Sequence, residues 1–199
     1  MISYPVFYDK VETIKVKDEL SNVLGAFVNG EYEFSYLDVV KSAGHSCPTV
    51  AGAYLITLEA LKNLYPNSRA VRGNIKVEFK ENIEDGVVGV ISNVVSQITG
   101  ATDKSGFKGL NGKFARHSLM YFNSDINSSA KFTRLDNGNS VDVIYNTSSI
   151  TQDPKISLLM QKIIKNEATL IEIEEFGKLW QERVEMIFNN IDKVIIIKN

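Results

Sequence analysis

Apolar residues recur along this chain in several rhythms, and each rhythm predicts a different element. From Pro48 to Leu64 nearly every position is apolar or small, and no charged side chain appears before Glu59. A helix that is apolar almost all round belongs in a protein interior. Ile75, Val77 and Phe79 alternate with Lys76, Glu78 and Lys80, the period-two pattern of a half-buried strand. Lys131–Leu135 and Val141–Tyr145 flank Asp136-Asn137-Gly138-Asn139, a hairpin signal. Ala115–Phe122 reads as a further strand carrying His117, on a sheet that packs against the Pro48 helix. Helical spacing of Leu20, Val23, Leu24 and Phe27 predicts a helix over Lys17–Phe27. After the Asn29-Gly30 turn, Glu31–Phe34 reads as a short extended stretch. Ser35 is placed to cap a brief helix over Tyr36–Ser42.

Val87–Thr99 is rich in β-branched residues, yet Val87, Ile91, Val94, Val95 and Ile98 follow helical spacing and Gly100 offers a stop. A helix with a strand at its start fits both facts. Ala101–Gly112 is a glycine-rich loop bearing Lys104 and Lys108, with Lys113 just beyond; it contains neither a P-loop nor a dinucleotide fingerprint. Asp153-Pro154 opens a helix to about Asn166. A second helix, about Glu172–Asn190, carries Ile173, Phe176, Trp180, Val184, Ile187 and Phe188 on one stripe, and Val194–Ile197 ends the pattern as a short strand or packed tail. The reading is α+β: an antiparallel sheet packed on a long buried helix, with C-terminal helices. It divides into a core over 1–150 and a helical extension over 151–199 that caps the core or builds a dimer interface.

Composition narrows the classes. A length of 199 residues with 44% apolar and 23% charged positions is ordinary for one globular domain. A net charge of −2 argues against non-specific nucleic-acid binding, which needs a basic face. No apolar run approaches a membrane span, and Met1-Ile2-Ser3-Tyr4-Pro5 has neither the basic nor the apolar part of a secretory signal. A single cysteine allows no internal disulfide. The expectation is a cytoplasmic protein, in which the sequons at Asn127 and Asn146 are incidental.

Chemistry concentrates in Gly44-His45-Ser46-Cys47-Pro48-Thr49-Val50-Ala51-Gly52, which holds one of two histidines and the only cysteine. Pro48 suits the first position of the apolar helix. The positive end of that helix points at Cys47 and His45, a field that favours thiolate and neutral imidazole, the metal-ligand forms. A lone cysteine is more commonly an inert small hydrophobe, and a histidine before a helix can be a polar cap. His117 offers a second imidazole, although the alternation of its strand allows it to face solvent.

The run Gly44-His45-x-Cys47-Pro48, followed by small residues and a long apolar helix, resembles the FmdE family, which takes its name from formylmethanofuran dehydrogenase. Glu81-Asn82, a valine-rich segment, Thr99-Gly100, Lys104, Gly106 and Gly112-Lys113 before an aromatic strand resemble the rest of that domain, so the likeness covers roughly residues 35–122. The resemblance implies a homodimer and a zinc site. The family usually carries a histidine two positions before His45, where this chain has Ala43, and an acidic residue where it has Ile83. Carried over residue by residue, His45 and Cys47 remain as ligands, against the three or four that zinc takes.

Three functions follow. The first is a metal-centre protein holding haem b or a transition-metal ion through His45, with Cys47 and His117 as further candidate ligands, for binding a small ligand or gas or for handling the metal. Haem needs only one axial protein ligand, and without Cys-x-x-Cys-His it would be held non-covalently. The second is a zinc-binding accessory protein of the family. The third is an enzyme with Cys47 as nucleophile and His45 or His117 as base. The stripe of Phe176, Trp180, Val184 and Ile187 is compatible with helix pairing in a homodimer.

Overall fold

The uncharged stretch after Cys47 forms one helix, and the other elements are arranged around it. The computed structural model describes residues 3–198. In chain order these form β1 (Ile14–Lys17), α1 (Glu19–Val23), β2 (Glu31–Phe34), α2 (Tyr36–Ala43), α3 (Pro48–Leu64), β3 (Ala70–Val71), β4 (Ile75–Phe79) and α4 (Val88–Thr99). There follow β5 (Met120–Tyr121), β6 (Ala130–Arg134), β7 (Ser140–Tyr145), α5 (Lys155–Ile164), α6 (Leu170–Phe188), α7 (Ile191–Val194) and β8 (Ile195–Lys198). No helix among the described residues is long and apolar enough to cross a membrane.

In α3 every residue from Val50 to Leu58 is buried, together with Ala60, Leu61 and Leu64. One side lies on the sheet formed by β6, β7 and β8, and α2, α4 and α6 pack around the rest. The helix can be buried so fully because its side chains demand little water: Tyr54 donates to the carbonyls of Glu12 (2.7 Å) and Phe34 (2.9 Å), and Thr57 donates to Ala53 O (2.8 Å). Gly52 lets the sheet side approach the helix closely. A Cβ there would stand 2.2 Å from Cε1 of Tyr145, so the ring of Tyr145 lies directly on the helix backbone.

The fold is α+β, with two sheets that are mixed rather than one antiparallel sheet. The smaller has the order β2-β1-β3 and the larger β5-β4-β6-β7-β8. β1 runs parallel to β3, and β4 runs parallel to β5; each of these pairings spans two residues, and the other pairings are antiparallel. Alternation along β4, β6 and β7 buries Ile75, Val77, Phe79, Ala130, Phe132, Val141 and Val143. The Asp136–Asn139 hairpin is present, and Val194–Ile197 closes the sheet largely as β8, paired with β7. The C-terminal segment therefore supplies an edge strand of the core sheet as well as helices.

Three local expectations change. Lys17–Phe27 is not a continuous helix: Ile14-Lys15-Val16-Lys17 alternates and forms β1, Asp18 caps the short α1, and Gly25 turns the chain at φ +68°. Val23, Leu24 and Phe27 are 60%, 67% and 49% exposed, so their helical spacing marks no core. Val87 carries no strand; it is the N-cap of α4, which ends at Gly100 in the left-handed region, φ +74°. Ala115–Phe122 yields only the two-residue β5, with Phe114 and Ser118 at positive φ before it. There the loop bonds to itself: Thr102 N–H donates to Arg116 O (2.9 Å) and Arg116 N–H to Phe107 O (2.8 Å).

What holds that loop is a buried charge cluster. Asp18, 3% exposed, accepts from Arg116 Nη2 (2.6 Å) and Arg72 Nη1 (3.0 Å) while its Oδ1 caps α1 through Leu20 N and Ser21 N. Arg72 also donates to the carbonyls of Gln97 and Ile98 at the end of α4. Gly73, at φ +81°, lets the Arg116 guanidinium pass: a Cβ there would meet Nη1 at 1.4 Å. A buried arginine parted from its carboxylate would be left as an uncompensated charge, so the residues beside Arg116 follow its placement on Asp18.

Candidate functional site

The site is the turn between α2 and α3. Ser35 and Asp38 form a capping box that starts α2, and Gly44 ends it at φ +77° with its N–H on Val40 O (2.9 Å). The next three residues point in different directions. His45 is exposed, and its Nδ1 lies 3.0 Å from Ala43 O. A carbonyl only accepts, so this bond requires the proton on Nδ1 and leaves Nε2 of the neutral ring with the free lone pair. Ser46 is buried, its Oγ 2.8 Å from the Tyr36 hydroxyl. Cys47 is half-buried and is the N-cap of α3, its Sγ accepting from Val50 N at 3.4 Å.

His45 lines a groove of about 190 Å³ together with Ser42, Ala43 and, from α4, Val90, Asn93, Val94 and Gln97. Its walls are one imidazole, two carboxamides, two valines, a serine and an alanine. Cys47 faces elsewhere, within electrostatic reach of the Tyr36 and Tyr145 hydroxyls, and burial pushes both of those phenols above the usual tyrosine value. Tyr145 donates to Pro48 O at 2.7 Å and so closes the first turn of α3 from the sheet side.

From the far end of the chain α6 reaches the same turn. Trp180 Nε1 and Gln181 Nε2 both donate to Ser46 O, at 3.1 Å and 3.2 Å, and Tyr8 donates to Gln181 Oε1 at 3.0 Å. Val184 and Ile187, farther along the stripe read as an interface, are fully buried within this chain. Sequence reasoning placed Trp180 on that stripe and missed its role. The available signal is general: an indole N–H beside a core needs a partner.

The candidate ligands do not come together. His117 lies in the turn before β5, its Nδ1 3.0 Å from Ser118 Oγ, and does not line the groove at His45. Among the described residues no three His, Cys, Asp or Glu side chains converge where they could hold an ion. The zinc centre that the resemblance implies needs at least three such donors, and the donor set present does not fit it. Among the described residues no hydrogen bond joins Cys47 to either histidine, and its thiol accepts from Val50 N as a helix cap.

The profile of the family described as FmdE, Molybdenum formylmethanofuran dehydrogenase operon, matches residues 43–196, most of the chain. The chain belongs to the FmdE family. The match opens at Ala43, the carbonyl that holds His45, and runs through α6 into β8, well beyond the 35–122 span that the motifs alone suggest. It ties this FmdE-family protein in a general way to a formylmethanofuran dehydrogenase operon. No curated protein matches it.

Proposed function

We propose that this FmdE-family protein binds a metal that brings most of its own coordination sphere, haem b foremost, through Nε2 of His45. The observation that carries the reading is the 3.0 Å contact from Nδ1 to Ala43 O. Metal-ligating histidines almost always donate their other ring N–H to a carboxylate or carbonyl, which fixes the tautomer and aims the remaining nitrogen. Here that arrangement exists in a histidine exposed at the rim of a groove. One protein donor is too few for a zinc centre but suffices for haem, whose macrocycle supplies the equatorial nitrogens.

This chain's residues divide the work as follows. His45 is the donor. Val90 offers apolar surface, and Asn93 and Gln97 offer amide groups at the groove. Bound haem would supply an iron position open to a small ligand such as a gas. At about 190 Å³ the groove lies below the roughly 300–1,000 Å³ of pockets that enclose a small molecule, which favours an accessible, exchangeable ligand over a sequestered one. Cys47 serves the site as the cap that starts α3. We place the protein in the cytoplasm, where its single thiol stays reduced.

Titration of the purified protein with haemin, followed by absorbance, tests the reading. The expected result is a saturable Soret shift that His45→Ala abolishes and that His117→Ala and Cys47→Ser leave largely intact. Equal binding by wild type and His45→Ala, or no binding by the wild type, overturns it. Metal analysis of the same samples separates haem from a bare ion. Family membership also motivates the homodimer: sedimentation velocity at micromolar concentration is expected to show a dimer, and a monomer removes that part of the proposal. Because Val184 and Ile187 are buried within the chain, they are not available as the interface.

A further inference from the structure

We infer that Trp180 and Gln181 are positioning residues for His45, so that the C-terminal helix α6 sets the orientation of the ring; the inference deepens the His45 reading and rests on it for its binding arm only. Within the turn, each residue has a local anchor: Gly44 on Val40 O, the His45 ring on Ala43 O and Cys47 on Val50 N. None of these ties the turn to the rest of the molecule. That connection runs through Ser46, whose side chain meets Tyr36 and whose carbonyl accepts from Trp180 and Gln181.

A carbonyl oxygen has two lone pairs, and here two side-chain donors from adjacent residues of one helix occupy them. Two donors at 3.1 Å and 3.2 Å fix the plane of the peptide that joins Ser46 to Cys47. This peptide begins one residue after His45. Gln181 is itself held, since its Oε1 accepts from Tyr8. Trp180 is further braced by stacking on Phe176, with ring centroids 5.5 Å apart. The indole and the carboxamide are thus fixed donors rather than mobile surface groups, and the buried Val184 and Ile187 hold α6 in place behind them.

In the absence of these donors the Ser46–Tyr36 hydroxyl contact still tethers the side chain of Ser46, but the plane of the Ser46–Cys47 peptide is held only by bonds between residues two to four apart in sequence. Such a turn can exchange the ring between Ala43 O and solvent. The consequence is a ring whose tautomer and direction are averaged, and a donor nitrogen that must be reordered whenever a ligand binds.

The test uses the full-length protein with Trp180→Phe and Gln181→Met, singly and together. Trp180→Phe keeps a ring on Phe176 and removes the N–H; Gln181→Met keeps the chain length and removes the amide. Nitrogen-15 NMR of the ligand-free protein reads the His45 tautomer, and amide exchange reads residues 44–47 against α4 and β7. The expected result is a single Nδ1–H form in wild type, averaging in the variants, and faster exchange confined to the turn. Haemin affinity should fall about fivefold per lost hydrogen bond. Thermal unfolding shows that each variant is folded, and the single variants stand if the double one is not. An unchanged His45 tautomer and unchanged turn exchange in folded variants overturn the inference. Failure of all forms to bind haemin overturns the His45 reading and leaves the tautomer measurement to decide this one.

Discussion

Asp18→Ala should destabilise the protein by about 3–5 kcal/mol, a fall in melting temperature of roughly 6–20 °C for a chain of this size. Asp18 is 3% exposed and Arg116 8%, so removing the carboxylate leaves a guanidinium buried without its counter-charge. Arg72 is less buried and keeps two carbonyl partners, so most of the loss comes from Arg116. The same substitution also uncaps α1, where Asp18 accepts from Leu20 and Ser21. Asp18→Asn retains an acceptor and should lose less.

The pH dependence carries a definite sign. Burial alone would raise the Asp18 carboxyl, but the hydrogen bond from Arg72 and the charge of Arg116 outweigh it and hold the group below its ordinary value of 3.8. A carboxyl that is lowered in the folded state contributes stability above its unfolded value, and the contribution is lost as pH falls through the folded one. The difference between wild type and Asp18→Ala should therefore be full at neutral pH and shrink below about pH 4. Circular dichroism melts across that range check it. A melting temperature for Asp18→Ala within about 2 °C of wild type at pH 7 would show that the cluster is not worth what its burial implies.

Gly52→Ala should destabilise the protein although it improves helix propensity. Alanine in a helix interior gains about 1 kcal/mol over glycine. Here its Cβ would stand 2.2 Å from Cε1 and 2.4 Å from Cζ of Tyr145, a ring whose hydroxyl is fixed on Pro48 O. Forcing extra volume into a packed core costs about 1–3 kcal/mol, and displacing the ring costs the hydrogen bond as well, about another 1 kcal/mol. The clash wins, by about 1–3 kcal/mol. The decisive measurement is the double-mutant cycle. In a Tyr145→Ala background the clash disappears, and Gly52→Ala should become stabilising by about 0.5–1 kcal/mol. A Gly52→Ala that stabilises the wild type would mean that Tyr145 yields without cost.

Much of the architecture is written in local patterns. The uncharged run after Pro48, the alternation along Ile75–Phe79, the hairpin at Asp136–Asn139, the stop at Gly100 and the Ser35 cap are short-range signals, and each appears in the fold at its place. These are legible because the 3.6 and 2.0 periods and the turn residues act within a few positions of one another. The candidate turn was legible for the same reason, since two rare residues fall together before a proline that opens a helix.

Only the tertiary structure decided the rest. The helical spacing of Val23, Leu24 and Phe27 predicted a helix, but these side chains stay largely exposed, and Asp18 is drawn instead to arginines 54 and 98 positions away. His117 left its expected strand because Arg116 beside it is committed to that ion cluster. His45, Cys47 and His117 share ligand chemistry yet face different surroundings, since a turn can aim adjacent side chains apart and sequence spacing does not record direction. Trp180 and Gln181 reach Ser46 from 134 and 135 residues away. Hydrogen bonds of that separation leave no periodicity to read. Local propensity determined most of the helices and strands, while the pairing of buried charges determined how the loop before β5 is held and the two donors on the Ser46 carbonyl determined how the turn at His45 is held.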